Sequence, residues 1–356
     1  LLPRWIHARP GELWLGCERR VRCVRRVHGK QRNLAGYFFD EVHRSFAHVA
    51  GHIFTLAALF VGRGTGGFRV YLADGSTRIL KAKRTGDSKG NPEGARREAL
   101  FYGMLAERMP VRVPRVDAVC LDKKQITAVL MEDCPAAPPL EGWTRDHFLR
   151  AAEDLARFHA ALWNRGDELR ALGFSGTPSF IEAEDMPQHA RLCWNHLAGK
   201  AHFKDILTTE RLQIIDKRID SVAATQAHLE ALPETLIHGD CHIGNVRQDG
   251  TGVFVWTDWQ GVRIGRGPED IAFMYLRVNH PDGRVPLDNM LIVYHQKLGK
   301  SLGQDVPMNR IRLAAAAYEW SVRLLQMPHY LDGASTGHLQ TELRRIDSLA
   351  EALGIR

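Results

Sequence analysis

One stretch of the chain, residues 236–245, constrains the fold more than any other. A short apolar strand runs there into a tight polar turn that carries Asp240 and Asn245. A second apolar strand, residues 253–256, is followed by Asp258, which lies 13 residues after Asn245. That spacing predicts a hairpin that returns Asp258 to the side of Asn245. Two oxygen ligands for a hard divalent cation would then lie next to the Asp240 carboxylate.

The order of these polar residues is typical of phosphoryl transfer. In catalytic loops of the protein-kinase kind, a His-x-Asp is followed by an Asn; the Asp handles the acceptor hydroxyl and the Asn holds magnesium. His238, Asp240 and Asn245 repeat that order. A His-Gly-Asp turn alone is common and does not by itself indicate a catalytic site. Three polar residues placed by two apolar strands, however, favour a catalytic site.

A glycine-rich hairpin is predicted upstream, between apolar segments at residues 55–61 and 68–72. Gly64 and Gly66 lie in its turn, and glycines let backbone amides approach phosphates closely. The pattern contains no helix directly after the turn, so it is neither a Rossmann nor a Walker loop. We expect a lid over nucleotide phosphates, with a plain hairpin as the alternative.

The third strand of this region, residues 77–82, is expected to supply a lysine for the nucleotide phosphates. Lys81 and Lys83 share one face of the strand because they are two residues apart. Lys81 is preferred since two apolar residues precede it directly, and Lys83 is the second choice. A helix that begins near Pro92 would turn Glu98 inward to pair with Lys81. The alternative is that Glu98 belongs to a charged surface.

Two more strands end at residues 131–134, where a linker rich in Pro and Ala begins. We expect the adenine to hydrogen-bond with the backbone between Met131 and Asp133. The sequence therefore divides into a basic N-terminal extension and helix (residues 1–50), a nucleotide-binding lobe (51–133) and a helical lobe with the catalytic loop (134–356).

The second lobe begins with an amphipathic helix after Thr144, and His159 lies on its apolar face as a core histidine. Asp270 begins a later helix and is expected to brace the catalytic turn. The irregular residues 174–207 predict either a helical insertion lining the acceptor site or a solvated segment. Their notable polar and aromatic side chains are Glu182, Glu184, Asp185, Trp194 and His196. Three later residues are pocket candidates that an amphipathic helix also explains in part: Glu319, Trp320 and Tyr330.

The net charge of +7 is unevenly distributed. Residues 141–356 contain 28 acidic and 24 basic side chains, a balance of −4, and the remainder of the chain has a balance of +11. A basic first lobe suits a polyphosphate nucleotide, and a mildly acidic second lobe suits a neutral or cationic acceptor. The alternative is a solvated basic face.

The cysteines and the apolar segments indicate the compartment. The six cysteines contain no CxxC pair, which suggests neither a zinc site nor a disulfide framework. A reducing cytoplasm is therefore expected. No apolar segment is long enough for a membrane span, and we expect no membrane partner.

Three motifs of the sequence resemble those of a known group of enzymes. The motif of residues 238–245, the Asp-Trp-Gln of residues 258–260 and the Gly-Pro-Glu-Asp-Ile-Ala of residues 267–272 resemble the aminoglycoside phosphotransferase and choline-kinase-like superfamily. The resemblance covers about residues 55–350. Gln260 stands where many antibiotic kinases of this group have an acid, and the sequence there is more similar to choline- or ecdysteroid-kinase-like members.

The resemblance implies an α+β, protein-kinase-like fold of two lobes, with an antiparallel sheet in the N-lobe and a mainly helical C-lobe. It also implies ATP as donor, with GTP possible, and magnesium. Asp240 would be the catalytic base, Asn245 and Asp258 the metal ligands, and Lys81 the phosphate-binding lysine with Glu98 as its partner.

The expected activity is transfer of the γ-phosphoryl group to a hydroxyl of a small molecule. An antibiotic of the aminoglycoside type or another hydroxylated natural product is the first expectation, which would make the enzyme one of antibiotic resistance. A choline- or ecdysteroid-kinase-like metabolic enzyme is the alternative. Two other classes are an inactive nucleotide-binding scaffold and a basic nucleic-acid-binding protein, the latter resting on the basic run of residues 19–30. We do not expect a nucleic-acid partner.

Overall fold

The computed structural model divides the chain into two compact units. The first contains the described residues of Leu1–Pro138 and Gly244–Val262, and the second those of Pro139–Ile243 and Arg263–Arg356. The structure describes residues 14–15, 53–60, 66–72, 74–84, 92–121, 126–139, 142–176, 186–277 and 285–355. The predicted domain boundaries at residues 50 and 133 stay predictions.

A six-stranded antiparallel sheet forms most of the first unit. Its strands are β1 (Trp14–Leu15), β2 (Ile53–Phe60), β3 (Gly66–Leu72), β4 (Thr77–Arg84), β5 (Val116–Leu121) and β6 (Ile126–Glu132). Their order across the sheet is β1-β5-β6-β4-β3-β2. One face is apolar and includes Leu80 and Ala82 of β4, which are buried together. Because side chains alternate along a strand, Lys81 lies on the opposite face.

Helix α1 (Pro92–Met104) belongs to this unit and begins with a proline, which the first turn tolerates because its missing N–H is not needed there. Its buried side includes Glu98 and Phe101. The Phe101 ring stacks on Trp259 with centroids 3.9 Å apart. This stacking fixes α1 against the segment that carries Asp258.

The second unit is built mainly from helices. They are α2 (Arg145–Ala161), α3 (Gly166–Ala171), α4 (Met186–Ala198), α5 (Thr209–Glu230), α6 (Pro268–Arg277), α7 (Leu287–Leu302), α8 (Met308–Leu325) and α9 (Thr336–Ala352). Thr144 caps α2, as the sequence predicted. A large apolar cluster joins α4, α5, α8 and α9, with Trp194 and Trp320 at its centre. The antiparallel sheet and the helical half confirm the predicted α+β organisation.

Four short strands form two further sheets of two strands each. β7 (Thr235–Ile237) pairs with β10 (Arg263–Gly265) in the second unit, and β8 (Val246–Gln248) pairs with β9 (Phe254–Trp256) in the first. The two apolar strands recognised in the sequence are therefore not partners, since each pairs with a strand that the sequence pattern did not reveal.

Several predictions lie outside the described residues. These are the helix before residue 52, the basic run of residues 19–30, Gly64 in the glycine-rich turn, and three acids of the acceptor segment, Glu182, Glu184 and Asp185.

Within the described part of the chain, no helix combines the length and the apolar character that crossing a bilayer requires.

Candidate active site

Lys81 lies between two carboxylates in the first unit. Its Nζ donates to Glu98 Oε1 and to Asp258 Oδ1, each at 2.7 Å. Glu98 Oε1 also accepts the backbone N–H of Trp259 at 3.2 Å. The ion pair expected between Lys81 and Glu98 is thus present, and it extends to Asp258. Lys81, the preferred of the two candidate lysines, thus contacts both carboxylates.

Electrostatics keeps this lysine charged. Burial alone would lower the pKa of Lys81, but the carboxylates of Glu98 and Asp258 outweigh it, and the pKa is raised. For Glu98, loss of water and the nearby Asp258 charge raise the pKa, against the opposing effect of Lys81. A charged ammonium is therefore held at the surface of β4 that faces α1.

The β8–β9 hairpin positions Asp258 and Asn245. In its register Val246 lies opposite Trp256, and both the N–H and the hydroxyl of Thr257 donate to the Asn245 carbonyl at 2.9 Å. This is the hairpin that the 13-residue spacing predicts. Asp258 itself has a φ of 63°, in the left-handed region that Asp and Asn tolerate better than most residues. The backbone is thus bent sharply at this carboxylate.

The oxygen atoms of this hairpin have the chemistry of a hard-cation site. Asp258 Oδ2 accepts from Gln260 Nε2 at 3.3 Å, while Oδ1 accepts from Lys81. A carboxylate and a side-chain amide carbonyl suit Mg²⁺, which prefers oxygen ligands. Asp258 and Asn245 therefore fit the predicted ion, and their role as its ligands stays a prediction. Gln260 orients the carboxylate, a contact that its sequence position did not reveal.

In the second unit, the turn after β7 carries Asp240. Gly239 has a φ of 74°, which favours glycine at this position. The buried carboxylate of Asp270, at the start of α6, accepts the backbone N–H of His238 at 2.7 Å and of Gly239 at 2.9 Å. The Cys241 thiol donates to the Asp270 carbonyl at 3.0 Å. Asp270 therefore braces the turn, as the sequence predicted.

The charge of Asp270 is itself stabilised. Burial alone would raise the pKa of this carboxyl, but the hydrogen bond and charge of His159, together with His238, hold it below the ordinary value. His159 lies 3.1 Å from Asp270 Oδ2, and its other ring nitrogen lies 3.0 Å from the Tyr294 hydroxyl. His159 is accordingly a satisfied core histidine.

A pocket of about 620 Å³ adjoins Asp240 within the second unit. Its walls are mainly apolar: Met186, Phe273, Leu276, Val322, Leu325 and Met327. Its polar lining residues are Asp240, Arg277, Gln326, Tyr330 and the histidines His189, His329 and His338. Among the described residues lining it, Asp240 is the sole acid. Its lining comes from distant parts of the chain, so local sequence patterns did not identify it.

The remaining predicted residues are found in several places. Gly66 is the first residue of β3, Met131 is buried in β6, and Asp133 pairs with Arg69 at 2.6 Å. Of the pocket candidates, Tyr330 lines the pocket. Glu319 and Trp320 are fully buried in α8 and belong to the core instead.

Comparison with solved structures finds the same fold in several kinases. A macrolide 2'-phosphotransferase from Brachybacterium faecium has a TM-score of 0.52 at 15% identity, covering 86% of this chain and 98% of that one. An ethanolamine kinase from Plasmodium vivax has a TM-score of 0.55 at 14% identity, covering 90% and 89%. The amicoumacin kinase hAmiN, in complex with AMP-PNP, Ca²⁺ and Ami, has a TM-score of 0.51 at 11% identity, covering 90% and 96%.

The comparison with protein families is decisive for this chain. No curated protein sequence matches it significantly. The model of the phosphotransferase enzyme family (APH), however, matches residues 61–302, which include β4, α1, the Asp240 turn and the β8–β9 hairpin. The chain therefore belongs to the phosphotransferase enzyme family, and its protein-kinase-like fold is that of small-molecule kinases.

Proposed function

We propose that the protein transfers the γ-phosphoryl group of ATP to a hydroxyl of a small, largely apolar natural product bound beside Asp240. The main support is the position of Asp240, which lies on a turn braced by Asp270 and lines a pocket of about 620 Å³. Pockets of this size hold small organic ligands. Because ATP is the donor, we propose that the enzyme works in the cytoplasm.

The nucleotide binds to the first unit in this proposal. Lys81 donates to the phosphates and Glu98 holds Lys81 in place, which their 2.7 Å ion pair supports. The backbone between Met131 and Asp133 pairs with the base, and the turn containing Gly64 and Gly66 covers the phosphates. The amicoumacin kinase complex with AMP-PNP and Ca²⁺ supports an adenine nucleotide and a divalent cation, and GTP is the alternative donor.

Asn245 and Asp258 hold the cation. When bound, Mg²⁺ supplies neutralisation of the charge that develops between the β and γ phosphates. Asp240 accepts the proton of the acceptor hydroxyl at its carboxylate, or orients that hydroxyl by accepting its hydrogen bond. Lys81 donates hydrogen bonds to phosphate oxygens, and its raised pKa keeps it charged for that task.

The pocket selects an acceptor of low positive charge. The described lining residues include a single acid, Asp240, together with Arg277 and three histidines. The remaining lining residues are mainly apolar. A polycationic aminoglycoside or a quaternary amine needs several carboxylates or an aromatic cage, because an unpaired buried cation is costly. A neutral hydroxylated antibiotic, such as a macrolide-like compound, fits this lining better than either.

An acceptor screen with the full chain tests the proposal. The protein, ATP and Mg²⁺ are incubated with macrolides, amicoumacin-like and nucleoside antibiotics, aminoglycosides, choline and ethanolamine, and mass spectrometry detects an added phosphoryl group. We expect phosphorylation of a neutral or weakly charged apolar acceptor. Exclusive phosphorylation of aminoglycosides or amino alcohols would contradict the acceptor class, and no phosphorylated product would contradict the activity.

Asp240→Asn tests the proposed role of that carboxylate. The substitution should lower kcat by about 10²–10⁴-fold, the usual contribution of a general base, with nucleotide affinity nearly unchanged. Asp205→Asn, at an exposed position, is the matched control and should keep full activity. Full turnover in Asp240→Asn would remove the role assigned to Asp240.

A further inference from the structure

Three potential metal ligands meet in the second unit, and the proposed phosphoryl transfer assigns a ligand role to none of them. His189 and Cys193 lie one turn apart on α4, and His329 lies on the 3-10 helix Met327–Tyr330. One nitrogen or sulfur atom of each lies within 4.8 Å of the other two. Cys193 Sγ and His189 Nε2 are 3.5 Å apart.

We propose that His189, Cys193 and His329 bind a zinc ion in the wall of the pocket that contains Asp240. Imidazole nitrogen and thiolate sulfur are ligands that zinc prefers, whereas magnesium prefers oxygen. The site is therefore chemically distinct from the cation proposed at Asn245 and Asp258.

The distances are close to those that zinc imposes. Bond lengths of about 2.0–2.1 Å to nitrogen and about 2.3 Å to sulfur place N and S about 3.5 Å apart across a tetrahedral ion. Cys193 Sγ and His189 Nε2 already have that separation. His329 is exposed, so its ring can rotate to bring its nitrogen to the shorter distance.

The backbone that carries the ligands is held in place. The buried side of α4 consists of Ala190, Trp194 and Leu197. The indole N–H of Trp194 donates to the Leu324 carbonyl at 3.0 Å, which fixes α4 against α8. An ion reaches the site from solvent, since both histidines are exposed and Cys193 is half-buried. A preorganised scaffold lowers the ordering cost of binding.

The location gives the ion a relation to the acceptor. His189 and His329 both line the pocket. Three protein ligands leave one tetrahedral position of zinc for water or for an oxygen atom of the acceptor. On binding, the Cys193 thiol releases its proton to solvent and its sulfur forms the bond to zinc. The zinc ion then adds positive charge to a pocket in which the described lining contains one acid.

Metal titration of the full-length, reduced and metal-free protein tests this proposal. Zinc alone is titrated in competition with a chromophoric chelator, and cobalt(II) alone is titrated while absorption is recorded. We expect the wild type to bind one more zinc ion than Cys193→Ser. Cobalt should give the near-ultraviolet absorption of a thiolate ligand at this site, and Cys193→Ser should lose it. Loss of a direct ligand should weaken zinc binding by about 100-fold or more, beyond the effect of an outer-shell change.

Matched variants identify the ligands. Cys134→Ser alters another half-buried cysteine, and His196→Ala alters an exposed histidine of α4 that pairs with Asp332. Both should keep zinc affinity, whereas His329→Ala should lose it while retaining the wild-type circular dichroism spectrum. Equal zinc stoichiometry and affinity in wild type and Cys193→Ser would overturn the proposal. None of these measurements requires phosphoryl transfer, so the zinc site and the proposed function fail independently.

Discussion

Lys81 shows how a single residue depends on distant parts of the chain. Its partners Glu98 and Asp258 are supplied by α1 and by the end of the β8–β9 hairpin. The first partner was predictable, because a strand lysine and a helix glutamate form a known pair in nucleotide-binding lobes. The second partner was not predictable from a local pattern, because Asp258 lies 177 residues after Lys81 and meets it only when the first unit folds.

Substitution of the two candidate lysines distinguishes between them. Lys81→Met should raise the nucleotide dissociation constant by about 10–100-fold, because hydrogen bonds to charged groups contribute roughly 1.5–3 kcal/mol. Lys83→Met retains a long apolar stem on the same strand and should change it by less than about threefold. Isothermal titration calorimetry with AMP-PNP and Mg²⁺ measures both. The reverse order of effects would assign the phosphates to Lys83.

The brace at Asp270 predicts a pH-dependent loss of stability. Asp270→Asn places an amide where two backbone N–H groups need an acceptor, so unfolding free energy should fall by about 1–3 kcal/mol at pH 7. The pKa of Asp270 is lowered in the folded state, so its stabilisation is present above the unfolded value of 3.8 and is lost as pH falls through the folded value. The difference between wild type and variant should therefore shrink below about pH 4.

Urea denaturation at pH 7 and pH 3 measures this difference. Asp205→Asn, an exposed substitution, is the control and should remain close to wild type at both values. A stability difference that is equal at the two pH values would show that the ionised carboxylate of Asp270 is not the source.

At the scale of elements, the hairpin and the first helix of the second unit could be predicted from the sequence. The spacing between Asn245 and Asp258 fits one tight hairpin, and apolar periodicity identified α2. The pairing of β1 with β5 and of β7 with β10 could not be predicted, because strands of two or three residues carry too little pattern to select a partner. The pattern of residues 174–207 does not decide between a helix and a solvated segment, because α4 has three buried residues, Ala190, Trp194 and Leu197, among many polar ones.

Helices α8 and α9 are joined by a buried ionic network that the sequence did not indicate. Glu319 of α8 accepts from Arg323 of the same helix and from Arg345 of α9, and Arg323 also pairs with Glu342. The burial of Glu319 and Arg323 leaves each dependent on its partners. The sequence left Glu319 as either a pocket residue or part of an amphipathic helix, and its two arginine partners identify it as a core residue of α8.

Glu319→Ala should therefore destabilise the protein strongly. Removing one member of a buried ion pair leaves an unpaired buried charge and costs about 3–5 kcal/mol. Glu351→Ala, at an exposed position of α9, should change stability by less than about 0.5 kcal/mol. Chemical denaturation compares the two. A small effect of Glu319→Ala would mean that Arg323 and Arg345 find adequate partners elsewhere.

At the scale of the whole molecule, nucleotide binding should appear as a metal-dependent gain in stability. A ligand at 100 times its dissociation constant stabilises the folded state by about 2.7 kcal/mol. For wild type, AMP-PNP with Mg²⁺ should raise the unfolding free energy more than AMP-PNP alone, since Asn245 and Asp258 are the proposed ligands of the ion. Asp258→Asn should abolish that extra gain. An unchanged magnesium effect in this variant would remove Asp258 from the cation site.

The sequence predicted the class of molecule because its phosphotransfer motif is local, with the side chains of Asp240, Asn245 and Asp258 placed within 19 residues. The acceptor pocket was harder to predict, since its lining comes from the Asp240 turn, α4, α6, α8, the segment after α8 and α9. The zinc ligands share this difficulty: His189 and Cys193 form a helical pair, but His329 joins them only through the packing of the second unit.

The division of the chain has a consequence for its synthesis. The polypeptide leaves the second unit after Ile243, adds β8 and β9 to the first, and returns at Arg263. A nascent chain therefore cannot give Lys81 its Asp258 partner until another 177 residues have been translated. A fragment ending at Pro138 would lack that carboxylate altogether, and no single proteolytic cut separates the two units intact.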